Sequence, residues 1–132
     1  MDKIDAKIID ILKRDGRTPL TRIARKVGLT EGAVRYRLNE LIRSGTIKRF
    51  TIELGKEIKA IVLIITETQI PTENISEAIK KIPEVRDFYE VSGDYTIICF
   101  VIGETINEVN RVVERIRLVK GVIKTVTCLV LK

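Results

Sequence analysis

The segment from Thr30 to Arg43 carries the side chains best suited to recognition chemistry. Apolar residues recur there at helical spacing, so the opposite side of the helix is free to face solvent. That side shows arginine, tyrosine and asparagine, with Gly32 near the helix start. Arginine offers a fork of donors to guanine, asparagine can pair with adenine, and glycine lets the backbone approach closely. The chemistry predicted is contact with base edges in a DNA groove.

An ordinary solvated helix face is also rich in arginine, so this alternative stays open until the charge distribution is considered. Residues 1–54 hold 13 Lys and Arg against 7 Asp and Glu, whereas residues 55–132 hold 11 of each. The whole net charge of +6 therefore lies in the first part, and such a field attracts phosphate. A membrane-surface helix would also be basic, but the apolar face it needs is used here for a core.

Two short helices joined by a glycine turn are predicted to position the basic face. Thr18 can cap the first helix with its hydroxyl, and Pro19 suits the first helical position. Gly28 follows the last apolar residue, where a left-handed conformation is needed. Thr30 is the next cap, and it begins the helix that carries the exposed arginines. The pattern predicts a helix-turn-helix, with this second helix entering the major groove.

A third helix is predicted before this pair and a strand after it. Asp2 caps the opening helix, which ends at Asp15-Gly16. The alternation from Phe50 to Leu54 predicts a wing or connecting strand, and residues 55–58 are the expected hinge. We therefore expect a winged helix-turn-helix DNA-binding domain over residues 1–54.

The rest of the chain, residues 55–132, alternates strands and helices. The predicted elements are a strand over 59–68, a helix over 72–82, strands over 85–91 and 95–102, a helix over 106–118 and a strand over 122–131. This βαββαβ order predicts a ferredoxin-like antiparallel sheet with both helices on one face. The fold class is therefore α+β.

The first strand of that sheet is predicted to be apolar on both sides. Ile61, Leu63 and Ile65 alternate with a second, mainly apolar set. Two helices on one face cannot cover the other, and the simplest cover is a second copy of the chain. We predict a homodimer joined through these sheets.

Composition argues against several other classes. The chain has no histidine, so a Ser-His-Asp or Cys-His catalytic unit cannot form, and Cys99 and Cys128 are too isolated to make a zinc cluster. We therefore expect no enzyme, no metal and no cofactor. No apolar run reaches the length of a membrane span, which predicts a cytoplasmic protein without membrane partners.

Three function classes remain. These are a sequence-specific DNA-binding regulator, a basic architectural DNA binder without a ligand, and a ligand carrier or enzyme on a ferredoxin-like scaffold.

The chain resembles the Lrp/AsnC (feast/famine) transcription regulators along essentially its whole length. The residues that carry the resemblance occur in family order and spacing; they are Asp5, Ile8 to Leu12, Gly16-Arg17, Ile23-Ala24, Val27 to Thr30, Val34, Arg37-Leu38, Gly45-Thr46-Ile47 and a Gly-Asp-Tyr turn. The resemblance implies a homodimer, often a tetramer or octamer, that binds pseudo-palindromic promoter DNA and senses an amino acid or similar small molecule.

The resemblance also implies where the effector binds. It places the ligand between C-terminal domains near the turn Gly93, Asp94, Tyr95, Thr96, where exposed amides and a carboxylate can hold a zwitterion. Thr125 and Thr127 are similar to threonines that line the site in relatives. The usual fourth residue of this turn is an aspartate, so Thr96 leaves the identity of the ligand open. An ordinary hairpin turn is the alternative reading of this segment.

The predicted DNA contacts lie on the helix-turn-helix and just beyond it: Thr18, Arg22, Thr30, Glu31, Gly32, Arg35, Tyr36, Arg37, Asn39, Arg43, Lys48 and Arg49. Of these, Lys48 and Arg49 are expected to touch phosphates, as is the helix that starts at Pro19. Two copies related by a two-fold axis should read half-sites about one helical turn apart, or a multiple of it.

Overall fold

The computed structural model describes all 132 residues, which divide into two compact units, Met1–Glu53 and Leu54–Lys132. The first unit is helical and the second combines helices with a sheet. Each unit has a hydrophobic core of its own.

Three helices make up the first unit: α1 (Lys3–Arg14), α2 (Leu20–Val27) and α3 (Glu31–Arg43). Three of the predicted signals at their ends are present. Asp2 caps α1 by accepting a hydrogen bond from the Asp5 N–H at 2.8 Å. Gly28 ends α2 with φ of +72°, and the Thr30 hydroxyl accepts from the Ala33 N–H at 3.2 Å.

The core of this unit draws on all three helices. Ile8 of α1, Ile23 of α2 and Val34 of α3 are completely buried. Fully burying one such side chain contributes about 1.5–3 kcal/mol. Ile42, the last apolar residue of α3, is 44% exposed. It lies eight residues beyond Val34, or about 80° around the helix, at the margin of the apolar face.

Two local predictions for the first unit are wrong. Thr18 does not cap α2, because its hydroxyl donates to the Asp15 carbonyl at 2.7 Å in the turn after α1; Pro19 takes the capping position without a side-chain hydrogen bond. No strand forms between Phe50 and Leu54. A strand needs a neighbouring strand for its hydrogen bonds, and the chain places none beside this segment.

The second unit has the predicted βαββαβ order. Its elements are β1 (Ile58–Thr66), α4 (Thr72–Lys80), β2 (Val85–Glu90), β3 (Ile97–Gly103), α5 (Ile106–Arg117) and β4 (Val122–Leu129). The strands lie in the order β2-β3-β1-β4 and all neighbours are antiparallel, which confirms the ferredoxin-like prediction.

The central strand β1 faces two environments. Ala60, Val62 and Ile64 are completely buried in the core that includes the inner faces of α4 and α5. Their neighbours along the strand point to the opposite face, where Leu63 lies between Ile98 of β3 and Val126 of β4. These side chains are only half-buried. One chain therefore leaves an apolar sheet face uncovered.

Gly121, before β4, occupies a position that excludes a larger residue. Its φ is +103°, and an added Cβ would lie 2.6 Å from Cδ1 of the buried Ile75. We expect Gly121→Ala to lower the free energy of unfolding by about 1–3 kcal/mol, through strain and overpacking. Urea unfolding followed by circular dichroism measures this. Gly55→Ala, where an added Cβ meets no atom within 4 Å, is the matched control, and equal stability of the two variants would contradict the assignment.

Candidate functional site

The exposed side of α3 is available for contact. Tyr36 is 67% exposed, and Gly32, Arg35, Asn39 and Arg43 are exposed as well. An added Cβ at Gly32 would meet no atom within 4 Å, so a molecule can approach the backbone there. The helix presents donors and acceptors on a convex surface, which suits insertion into a groove.

Two arginines of α3 form ion pairs with glutamates of the same helix. Arg35 Nη2 lies 2.8 Å from Glu31 Oε1, and Arg43 Nη2 lies 2.6 Å from Glu40 Oε2. The second hydrogen bond raises the pKa of Arg43 and lowers that of Glu40. Both arginines remain more than half exposed, and such surface pairs are weak in water. A phosphate or a base can therefore replace the carboxylate.

Arg37 forms ion pairs with residues of another helix. Its Nη1 lies 2.6 Å from Asp2 Oδ2 and 3.0 Å from Asp5 Oδ1, and its side chain is only 28% exposed. These two carboxylates form the capping box of α1, so Arg37 links α3 to the start of α1. This engagement within the unit argues against the predicted DNA contact at Arg37.

The ion pairs of Arg37 with Asp2 and Asp5 shift pKa values. Hydrogen bonds to Asp2 and Asp5 raise the pKa of Arg37. The N–H of Asp5 and, second, the guanidinium of Arg37 hold the pKa of Asp2 below its usual range. The charged forms are therefore the ones that the fold stabilises.

The remaining predicted DNA contacts differ in their exposure and in their roles within the fold. Thr18 is only 9% exposed, which argues against contact with DNA. Thr30 caps α3, and Glu31 pairs with Arg35, so both have structural partners. Arg22, Lys48 and Arg49 are exposed.

The predicted effector turn joins β2 to β3. Gly93 has φ of +117°, which only glycine adopts without strain. The Thr96 N–H donates to the Ile64 carbonyl at 2.9 Å, and the Thr96 hydroxyl accepts from the Thr66 N–H at 3.4 Å. Thr96 therefore ties the turn to β1. Asp94 is exposed and its carboxylate makes no hydrogen bond or ion pair, while Tyr95 is half-buried.

The other two predicted effector residues lie across β1 from this turn. Thr125 of β4 pairs with Ile64 and Thr127 pairs with Val62. Because β1 stands between them, Thr96 and Thr125 are separated by two strand spacings, about 10 Å. The fold brings Thr125 to the same end of the sheet as the turn, and Thr127 lies two residues farther along the strand.

Glu90, close to the turn, was not among the residues predicted from the sequence. Glu90 ends β2, and its Oε1 accepts a hydrogen bond from the hydroxyl of Ser76 at 2.6 Å. Ser76 lies on α4 and is 2% exposed. The only sequence signal was an acidic residue three positions before Gly93.

A groove of about 980 Å³ was also missed, and it lies at the other end of the sheet, where Ile58 pairs with Gly103. Its lining mixes acids with Arg86, Arg111 and Arg115. Arg115 Nη1 lies 3.5 Å from Glu84 Oε2. None of the six predicted effector residues lines this groove. The groove could not be predicted from the sequence because its lining comes from segments far apart in the chain.

The two cysteines lie in different surroundings. Burial raises the pKa of Cys99 to about 11, so it stays a thiol at neutral pH, and Cys128 is a free cysteine on the edge strand β4. No group of three or more His, Cys, Asp or Glu side chains is placed to hold a metal ion. None of the five helices has the length and apolar character needed to cross a membrane.

A helix-turn-helix unit followed by a ferredoxin-like unit defines the class of DNA-binding regulators with a separate ligand domain. Residues 1–42 match the model of the AsnC-type helix-turn-helix domain, and residues 59–132 match that of the Lrp/AsnC ligand binding domain. The chain belongs to the Lrp/AsnC family, and it is accordingly a transcription regulator and not an enzyme.

Known relatives align with the whole chain. The HTH-type transcriptional regulator LysM of Saccharolobus solfataricus is 46% identical, over 100% of this chain and 94% of the relative. The fold matches that of AsnC from E. coli, with a TM-score of 0.79 and 21% identity over 100% and 93% of the two chains. It also matches a transcriptional regulator of Neisseria meningitidis in complex with L-Met, with a TM-score of 0.84 and 21% identity over 100% and 90%.

The link between Arg37 and Asp2 predicts acid sensitivity of the first unit. Because the pKa of Asp2 is lowered on folding, its ionised form stabilises the fold above the ordinary aspartate pKa of about 3.9, and this contribution is lost as the pH falls below that value. Asp2→Asn should therefore be less stable than the natural chain at pH 6, with the difference shrinking towards pH 3.

Urea unfolding followed by helical circular dichroism at each pH measures the difference. Asp10→Asn, which changes an exposed carboxylate with no ion pair, is the control. A constant gap between Asp2→Asn and the natural chain from pH 6 to 3 would contradict the role given to Asp2.

Proposed function

We propose that this regulator reads specific DNA with the exposed face of α3 and binds an amino acid at the Gly93–Thr96 turn, acting as a homodimer. The observation that carries the proposal is the open face of α3, where Tyr36 and Asn39 are exposed. Neither side chain takes part in a hydrogen bond or ion pair within the chain. Side chains that a fold leaves free on a basic helix are available to recognise a base pair.

The charges of α3 suit this use. Arg35 and Arg43 form ion pairs with carboxylates on the same helix, which hold the two guanidinium groups on its exposed side. Exchange of such an exposed carboxylate for a DNA group keeps the arginine charged and hydrogen-bonded. Lys48, which follows α3 in the chain, is exposed and supplies a phosphate contact, which positions the helix without reading sequence.

The proposed ligand is a zwitterion. The exposed carboxylate of Asp94 suits the ammonium group of an amino acid, and free amides of a glycine turn suit its carboxylate. Matching a family ligand-binding domain supports a small ligand, and the Neisseria regulator was crystallised with L-Met. Since Thr96 and Thr125 of one chain stand about 10 Å apart across β1, a compact site needs further walls from a second copy.

The homodimer follows from the uncovered sheet face. Leu63, Ile98 and Val126 lie side by side there, and an exposed apolar sheet of this kind is normally covered by a partner. A second copy provides the same surface and allows a two-fold axis to relate the two faces. Two copies of α3 then read half-sites related by the same symmetry.

Regulation follows if the effector binds between copies. Ligand bound at the turn would stabilise one mode of association and thereby the spacing of the paired α3 helices on DNA. Such couplings are typically about 1–3 kcal/mol. The alternative, an architectural DNA binder, would show neither base discrimination nor a response to a ligand.

Replacement of Asn39 tests the reading role of α3. The preferred sequence is first selected from random duplexes with the natural chain. Asn39→Ala should then lose about 1–3 kcal/mol of discrimination at a particular base pair, because a paired side chain is removed. Lys48→Ala is the control, because loss of a phosphate contact weakens all sequences alike. If Asn39→Ala weakens every duplex equally, the architectural alternative is correct.

A thermal-shift screen of the twenty amino acids tests the ligand role of the turn. A ligand that binds only the folded state raises apparent stability, by about 2.7 kcal/mol at a concentration of 100 Kd. We expect one or two amino acids to raise Tm for the natural chain and not for Asp94→Ala. The exposed carboxylate variant Asp10→Ala should respond like the natural chain. A response that persists in Asp94→Ala would place the ligand elsewhere, for example in the groove near Gly103.

A further inference from the structure

The unbalanced positive charge of the first unit does not lie on α3. This unit holds 13 basic and 7 acidic residues, and the arginines of α3 engage four of the seven acids: Asp2, Asp5, Glu31 and Glu40. The basic residues left over lie mainly on α1, α2 and the link between them: Lys3, Lys7, Lys13, Arg14, Arg17, Arg22, Arg25 and Lys26.

Four of these residues surround one groove between α1 and α2. Lys7 and Arg14 come from α1, spaced seven residues apart, and Arg22 and Lys26 come from α2, spaced four apart. Each spacing puts its two residues on one side of the helix. The groove encloses about 370 Å³.

The groove has a surplus of unpaired positive charge. None of the four basic side chains forms an ion pair, and all four are exposed. Two acids, Asp10 and Asp15, also line the groove, so its net charge is +2. The Asp15 carboxylate already accepts a hydrogen bond from the Arg17 N–H at 2.9 Å. Like charges gathered in this way repel unless an anion joins them.

The groove and the reading face of α3 lie on different sides of the unit. Asp5 of α1 points to α3, where it meets Arg37. Lys7 follows two residues later, about 200° around the helix, and faces the groove with α2. No residue of α3 lines the groove. A duplex that lies along α3 therefore leaves these four basic side chains unoccupied.

We propose that the groove between α1 and α2 binds the phosphate backbone of a second DNA segment while α3 reads the first. The inference rests on the proposed DNA reading and extends it to Lys7, Arg14 and Lys26, together with Arg22. Flexible lysines and arginines with few aromatic neighbours suit repeated phosphates, which they contact without reading bases. One unit would thus hold two stretches of duplex and draw them together.

A bridging assay tests this inference. The full-length natural chain is loaded on a bead-tethered 20-bp duplex of its selected sequence, and capture of a second, fluorescent duplex of random sequence is measured against salt. Arg14→Gln/Lys26→Gln removes two charges from the groove. Lys120→Gln/Lys124→Gln removes two charges from exposed lysines of the second unit and is the matched control.

The natural chain and the control should capture the second duplex, and the groove variant should need at least tenfold more protein for the same capture. The slope of log affinity against log salt for that duplex should fall by about 2 in the groove variant, since each phosphate contact contributes about 0.9. Lys7→Gln/Arg22→Gln, an independent pair in the same groove, should behave likewise. Thermal unfolding checks that both variants remain folded.

Unchanged capture and an unchanged salt slope in both groove variants would overturn the inference, since bridging would then use the α3 helices of two chains or another surface. Failure of the DNA-reading proposal is read separately. It would appear as an absence of sequence preference for the tethered duplex in the natural chain. The groove variants are expected to leave this sequence preference unchanged.

Discussion

Strand β1 is apolar on both faces, and a single chain has helices to cover only one of them. The inner set, Ala60, Val62 and Ile64, joins the core that includes α4 and α5, and this packing holds the second unit together. The outer set, with Leu63 at its centre, is not covered by any helix of this unit and needs a partner to cover it. The proposed dimer, the pairing of two α3 helices and a ligand site shared between copies all depend on how that outer face is covered.

The first unit divides its charges between structure and binding. Arg37 uses its charge to hold α3 against the capped start of α1, while Arg35 and Arg43 keep exposed carboxylate partners that a DNA group can replace. Most of the basic residues without an ion pair lie on α1, on α2 or on the link between them. A net charge therefore does not say which helix binds phosphate, because arginines on a reading helix can be neutralised within the fold.

Local signals made most of the fold predictable from the sequence. The cap at Asp2, the cap at Thr30 and the left-handed Gly28 act within a few residues. Along residues 59–131, segments with the apolar spacing of a strand alternate with segments that have the spacing of a helix, and this alternation predicts the βαββαβ order. Other features depend on residues that are distant in the sequence. The partners of Arg37 lie 32 and 35 residues away, and alternation at Phe50 to Leu54 cannot show whether a neighbouring strand exists. The groove near Gly103 likewise depends on distant segments.

The most direct test of the central claim is the mass of the free protein by light scattering at micromolar concentration. We predict a mass of at least twice 15.0 kDa for the natural chain and for Leu118→Glu, a control at a residue that is 84% exposed. Leu63→Glu should give a folded protein of single-chain mass, because a charge in the outer face cannot be buried against its symmetry mate. A mass of 15.0 kDa for the natural chain would contradict a homodimer joined through the outer sheet face, as would a Leu63→Glu variant that still associates.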